Sequence, residues 1–372
     1  MSYKYDLLVA TGLFPPDIGG PATYSKILND ELPSHGLSVK VLSFGEVRHL
    51  PKLIRHLAYA WKVFRLAPQS KIIYAQDPVS VGLPVMLACW LRRRSYFLKI
   101  VGDYAWEQGS QRFGVVDLLD DFSVRNNYAW PVRILKKIQL LVAHRAQKVI
   151  VPSEYLKKIV GNWGALAEKI KVIYNAFEAP ASLPAKETLR QELGFEGLVI
   201  TSVGRLVPWK GFELLIDLMP ELSEKFSNLK LYIIGEGPER NILEKLIAAK
   251  NLTNVFLTGR LSQNELLKYI KASDIFVLNT SYEGFSHQLL EVMWCGTPMV
   301  TTAVGGNVEL IKDDETGFLV GYNERAALKS AIENILVDSD LASRLSQAAE
   351  TKVSEFSKDR MIEKLLNVLS LN

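Results

Sequence analysis

Residues 275–302 read IFVLNTSYEGFSHQLLEVMWCGTPMVTT. The apolar run Ile275–Leu278 ends in a polar loop, a helical stretch follows, and Met299–Thr302 reads as a second strand after Gly296 and Pro298. Strand, helix, strand in that order implies parallel strands joined by a crossover. The alternation continues on both sides. Upstream lie Val199–Val203, Lys230–Ile234 and Val255–Leu257, separated by the helical patterns Glu213–Met219, Pro238–Ala249 and Gln263–Lys271. Earlier still, Leu7–Thr11, Val39–Ser43, Lys71–Ala75, Tyr96–Val101 and Lys148–Val151 read as strands, with Thr23–Leu32, Lys52–Leu66 and Val132–Arg145 as amphipathic helices. The class is α/β, with helices on both faces of parallel sheets.

Between the two series, residues 174–186 read YNAFEAPASLPAK, rich in Pro and Ala and without periodicity. This is linker composition and places a boundary near residue 183. Two Rossmann-like doubly wound domains are expected, 1–182 and 183–356, facing a cleft at the carboxyl ends of their strands. A last helical stretch occupies 357–372. A chain of 372 residues suits two domains of this size.

Composition excludes several classes. With 48% hydrophobic and 23% charged residues the chain is neither disordered nor fibrous. Only Cys89 and Cys295 occur, each in an apolar stretch, so two reduced thiols in a cytoplasmic protein are expected rather than a disulfide or a metal site. The start MSYKYDLLVATGLFPP reads as a strand, not a leader, and the longest apolar run, Val79–Leu91, is broken by Gly82 and Pro84. The net charge of +4 conceals an asymmetry, since residues 1–180 hold 24 Lys+Arg against 14 Asp+Glu. From Arg48 to Lys71 the sequence runs through Lys52, Arg55, Lys62 and Arg65 with no acid among them. The stretch RHLPKLIRHLAYAWKVFRL combines these cations with apolar residues at helical spacing, the pattern of a helix lying on an anionic membrane. A helix packed on its own sheet with a solvated basic face is the alternative. Arg92, Arg93 and Arg94, with Arg133, Lys136, Lys137 and Arg145, favour peripheral contact with the inner face of the plasma membrane. No nucleic-acid-binding signature accompanies the charge.

Candidate functional residues cluster where strands end. Gly19 and Gly20 follow the first strand and precede a helix, where backbone N–H groups can approach an anion, or where the turn simply needs glycine. Thr201–Phe212, TSVGRLVPWKGF, sets Arg205 and Lys210 on a loop, two cations suited to a diphosphate or merely solvated. Gly235 and Gly237 end the next strand, ahead of Pro238 as a first helical residue. Glu283 with Gly284, Phe285 and Ser286 occupies the loop after Leu278, and Glu291 follows on a helix where its two oxygens can accept two sugar hydroxyls. Asp338-Ser339-Asp340 reads as a helix cap, so no metal is expected.

These segments together resemble glycosyltransferase family 4, the retaining nucleotide-sugar transferases of GT-B fold. FPPDIGG, VIVPSEYLKK, KVIYNAF, GRLVPWKGFELLI, IIGEGPER, EGFSHQLLEVMWCGTPMVTTAVGGNVELI and TGFLV carry the resemblance over nearly the whole length. It implies that Arg205 and Lys210 grip the diphosphate of a UDP-, GDP- or ADP-sugar and that Glu291 holds the ribose. Glu283, with the backbone at Phe285–Ser286, would hold the transferred hexose, Gly20 would close over the phosphates, and Arg260 would lie near the base. It further implies that the last helix, 357–372, crosses back to the first domain, and that transfer goes to an acceptor hydroxyl with retention and without metal or cofactor, in cell-surface glycan or lipid-linked saccharide synthesis. A nucleotide-sugar epimerase or hydrolase, and a silent glycan-binding or partner-binding subunit, are the rivals. Two departures stand out. Where many members carry His the loop reads VGDYAWEQG, which makes Asp103 a candidate acid/base with Tyr104, Trp106 and Glu107 at the acceptor, or else a turn residue. The usual Asn-Gly turn is Asn175-Ala176-Phe177-Glu178 here.

Overall fold

The computed structural model describes residues 3–17, 19–177 and 182–371. It divides into two compact units, Met1–Ala176 with Lys358–Asn372, and Phe177–Ser357. The division falls a few residues before the expected boundary at 183. Glu178, the last residue of the expected turn, lies outside the described residues.

The first unit is a six-stranded parallel sheet of β1 (Tyr5–Thr11), β2 (Val39–Ser43), β3 (Ser70–Gln76), β4 (Phe97–Lys99), β5 (Val149–Val151) and β6 (Ile170–Val172), in the order β2-β1-β3-β4-β5-β6. The second holds β7 (Val199–Val203), β8 (Lys230–Ile234), β9 (Val255–Gly259), β10 (Ile275–Leu278), β11 (Met299–Thr302) and β12 (Phe318–Val320), ordered β12-β11-β10-β7-β8-β9 and again all parallel. Strands covered on both faces need apolar residues at every position rather than at alternate ones. All of β7, β10 and β11 are accordingly buried.

The order of the second sheet matters for function. Successive crossovers run outward from β7 through β8 and β9 to one edge, then restart at β10 on its other side. At that reversal the loops after β7 and β10 leave the sheet side by side, at the topological switch point where such sheets bind ligands.

The helix Lys358–Leu369 belongs to the first unit: Met361, Ile362, Leu365, Leu366 and Leu369 are buried with Leu7, Tyr24, Leu28 and Tyr74. Asp338 caps the helix Ser339–Val353, accepting from the Asp340 and Leu341 N–H groups at 3.0 and 2.9 Å. Pro238, in contrast, lies in a turn, and its helix begins at Arg240. Among the described residues no helix is long and apolar enough to cross a membrane.

Candidate functional site

In the second unit the loops after β7 and β10 are stitched together. The Ser281 N–H donates to the Trp209 carbonyl at 2.8 Å, the Thr280 hydroxyl donates to the same oxygen at 3.0 Å, and the Asn279 amide donates to Gly211 O at 3.1 Å. This holds the short turn Pro208–Lys210 against the Glu283 loop. There the Lys210 ammonium pairs directly with the Glu283 carboxylate, and only about a tenth of either side chain is exposed (9% and 13%). Removing two charges from water is expensive, so the pair persists because each charge answers the other. Arg205 is exposed on the same loop, and its side chain has no hydrogen-bond or ion-pair partner among the described residues.

The glycines of this region make room for backbone. A Cβ on Gly235 would lie 1.9 Å from the Gly204 carbonyl oxygen, and one on Gly305 would lie 2.1 Å from that of Glu283. Gly237 is pressed in the same way against Leu206. The expected donor contacts at Gly235 and Gly237 thus have a prior structural reason: these residues let the Arg205 loop sit down on its neighbour. The Gly306 N–H donates to Glu283 O at 2.8 Å and fixes the Glu283 loop from behind.

Ser286 caps the helix His287–Cys295, accepting from the Leu289 N–H at 3.3 Å. Phe285 is buried, its ring packed against that of Phe356. One turn on, Glu291 is buried. Its Oε1 accepts from the Gln263 side-chain amide at 2.7 Å, while Oε2 is buried with no partner among the described residues. Burial pushes this carboxyl up to about 7. A buried carboxylate oxygen without a partner is uncommon in a folded protein and makes Glu291 a candidate ligand contact.

Gln263 was not identified from the sequence. It opens the helix Gln263–Ala272 and stands 28 residues from Glu291. The only signal was its place just beyond Arg260, at the end of β9. Arg260 is exposed at that end of the sheet.

The first unit departs further from expectation. Asp103 is fully buried and caps the helix Tyr104–Arg112. Its Oδ1 accepts from the Trp106 N–H at 2.9 Å and from Gln139 at 3.1 Å, and its Oδ2 accepts from the Trp163 indole N–H at 2.9 Å. Both oxygens are in use and neither meets solvent, so Asp103 is a structural cap and not the acid/base expected of it. Burial pushes its carboxyl up, against the pull of these hydrogen bonds. Trp106 is likewise interior, its indole N–H donating to Asp117 O at 2.8 Å. Tyr104 and Glu107 remain partly exposed.

Gly19, with φ of 138°, precedes the helix Gly20–Glu31, and the Ala22 and Thr23 N–H groups donate back to its carbonyl. Arg48 secures the loop before it through both oxygens of Asp17 at 3.0 Å, and this holds the Asp17 carboxyl below its ordinary range. Lys62 pairs with Glu46 at 2.6 Å. Two cations of the basic stretch, which has no acid among them in sequence, are therefore neutralised in space. The helix Lys52–Leu66 buries Tyr59 and Val63 and leaves Ile54, Leu57 and Trp61 exposed, Leu57 by 70%.

Two family descriptions match the chain. Residues 7–176 fit "Glycosyl transferase 4-like domain" and residues 185–352 fit "Glycosyl transferases group 1". The chain belongs to glycosyltransferase family 4. An uncharacterized glycosyltransferase of Methanocaldococcus jannaschii is 30% identical over 66% of this chain and 65% of its own length. The lipopolysaccharide core biosynthesis glycosyltransferase LpsE of Rhizobium meliloti is 30% identical over 54% of this chain and 58% of its own length. The chain thus matches about three-fifths of the length of these curated relatives. Among solved structures, Anabaena HepE in complex with UDP and glucose is similar over 98% of this chain and 99% of its own, with a TM-score of 0.76 and 21% identity. That likeness is one of fold, and the fold is GT-B.

Proposed function

We propose that this protein is a retaining glycosyltransferase that moves a hexose from a nucleoside-diphosphate sugar to an acceptor hydroxyl. The observation that carries this reading is Glu291, with one carboxylate oxygen held by Gln263 and the other buried and empty-handed beside the sheet reversal. Two oxygens on one fixed carboxyl match the vicinal hydroxyls of a ribose. Lys210 and Arg205, one buried and one free, supply positive charge for the diphosphate, which gains negative charge as it leaves.

In the proposed reaction the bond from the anomeric carbon to the phosphate oxygen breaks heterolytically. The acceptor oxygen bonds to the same face of that carbon, and its proton passes to the departing phosphate oxygen. The leaving group serves as base, so Asp103 is not required in that role. Glu283, fixed by Lys210 and by the Gly306 N–H, would accept from hydroxyls of the sugar. Charge neutralisation by the two cations makes the reaction independent of a metal. The likeness to a lipopolysaccharide core enzyme and the exposed apolar and basic residues of the Lys52–Leu66 helix support a cell-surface or lipid-linked glycan acceptor, met at the cytoplasmic face of a membrane.

The test is nucleotide release from UDP-, GDP- and ADP-sugars with chelator present, with and without a membrane lipid extract. The expected outcome is release from one donor, stimulated by the extract and undiminished by chelator, with an axial or equatorial linkage matching the donor anomer by NMR. Release without any acceptor would favour a hydrolase or epimerase, and tight nucleotide binding without release would favour a silent subunit.

Titration of Glu291 gives a second expected outcome. The ionised form accepts on both oxygens, so binding of a nucleotide below pH 7 should expel a proton, and affinity should rise about tenfold from pH 6 to pH 8. Because the folded-state value lies above the unfolded one, stability should fall as pH climbs from the ordinary glutamate range to about 7, by roughly 3 kcal/mol. Glu291→Gln should abolish both trends, leaving only the nucleotide's own phosphate titration, as calorimetry in buffers of different ionisation enthalpy will show. Gln263→Ala, which frees the carboxyl to turn, should raise the donor KM several-fold with kcat little changed.

A further inference from the structure

The first unit contains a cationic pocket to which neither the fold nor the donor site assigns a use. It lies between the helices Trp130–Arg145 and Glu154–Asn162 and the segment around Asn126, encloses about 360 Å³, and is lined by Arg133, Lys136 and Lys137 with Asn126, Asn162 and Trp163. No carboxylate lines it. The acids nearby are already engaged. Asp120 takes Tyr155 and Lys158, each at 3.0 Å, Asp117 takes Arg125 and Tyr128, and Asp103 lies below the floor, bonded to Trp163. Lys136 donates to the Phe122 and Arg125 carbonyls, whereas the side chains of Arg133 and Lys137 have no partner among the described residues. Two unanswered cations around a hollow with amide side chains on its wall form an anion site, and a phosphate group is the anion that arginine and lysine hold best.

What surrounds the pocket identifies the source of that phosphate. Trp130, Ile134, Lys137 and Leu141 fall on one face of a helix, and all four are exposed, Trp130 by 72%. Val124 adds a further exposed apolar side chain at the pocket wall. Tryptophan and aliphatic groups beside unpaired cations make a surface that enters a lipid head-group layer.

We propose that this pocket binds the phosphate of an anionic lipid, with Trp130 and Ile134 inserted beside it. The proposal rests on the membrane contact proposed above and gives it a specific seat, separate from the Lys52–Leu66 helix.

The test sediments the full chain with vesicles of phosphatidylcholine or of phosphatidylglycerol, with inorganic pyrophosphate as soluble competitor. Arg133→Gln combined with Lys137→Gln should weaken binding to phosphatidylglycerol vesicles about thirtyfold at low salt, since each cation near such a surface is worth about 1 kcal/mol. A charge-matched pair in the second unit, Lys230→Gln with Lys245→Gln, should have little effect, and pyrophosphate should displace the wild-type protein. Equal losses from both pairs would mean diffuse attraction and overturn the pocket. Wild-type binding by the Arg133 and Lys137 variant would also overturn it, while leaving membrane contact standing. Pyrophosphate binding that the Arg133 and Lys137 variant loses, without sedimentation of the wild type on either vesicle, would assign the pocket to a soluble phosphate compound and overturn both readings of the membrane. Nucleotide binding by the second unit, measured in parallel, should be the same in every variant, which separates these outcomes from misfolding and from failure of the transferase reading.

Discussion

Replacement of Lys210 by alanine is expected to reduce turnover by about two to three orders of magnitude, the scale on which enzymes suffer when a fixed donor to a developing oxyanion is removed. The structure complicates the experiment, because the same substitution strands the Glu283 carboxylate in the interior. Breaking a buried pair on one side costs about 3–5 kcal/mol and would mimic a catalytic loss through unfolding. The informative variant is therefore Lys210→Met with Glu283→Gln, which replaces the pair by neutral groups of similar volume and should nearly preserve stability. Turnover at saturating donor in that folded protein should remain down by at least two orders of magnitude, and near-normal turnover would remove the diphosphate role from Lys210. Arg205→Ala, at an exposed position without partners among the described residues, needs no such compensation and should leave the melting temperature unchanged while lowering kcat.

The second large effect is expected at Asp103 and is one of stability. Asp103→Ala removes a helix cap and leaves the Gln139 amide and the Trp163 indole without an acceptor in the core. Together these amount to roughly 3 kcal/mol or more. In a unit of this size the melting temperature should fall by about 6–12 °C. Asp103→Asn, which keeps an acceptor oxygen, should recover much of that. Below its melting transition either variant should retain kcat within a few-fold of wild type. A thousandfold loss of kcat in a well-folded Asp103→Asn protein, with a changed pH profile, would restore Asp103 to the chemistry.

The contrast between Lys210 and Asp103 marks how far the sequence could be read. Ten strands are legible as runs rich in apolar and β-branched residues. β6 and β12 are three residues each, as β4 and β5 are, but β4 and β5 are buried throughout whereas β6 and β12 bury one residue apiece. In the second unit the candidate residues follow β7 and β10, Lys210 and Glu283 on loops and Glu291 on the next helix, so strand order alone gathers them at one end of the sheet. Asp103 carried two readings in the sequence because an aspartate that caps a helix and one that serves as a base stand in the same place, just after a strand and just before a helical run. Only burial distinguishes them. The partnership of Gln263 with Glu291, and those of Arg48 with Asp17 and Lys62 with Glu46, join positions 16 to 31 residues apart and were invisible for the same reason that any tertiary contact is.

The helix Lys358–Leu369 has a consequence for the order in which the protein is made. Five of its residues lie in the core built around β1, β3 and the Gly20–Glu31 helix, all of which leave the ribosome hundreds of residues earlier. The second unit, Phe177–Ser357, is one continuous stretch and has every residue it needs before that helix is translated. The half synthesised first is therefore the half completed last. Until Leu369 emerges, an apolar groove on the nascent first unit stays open to chaperones.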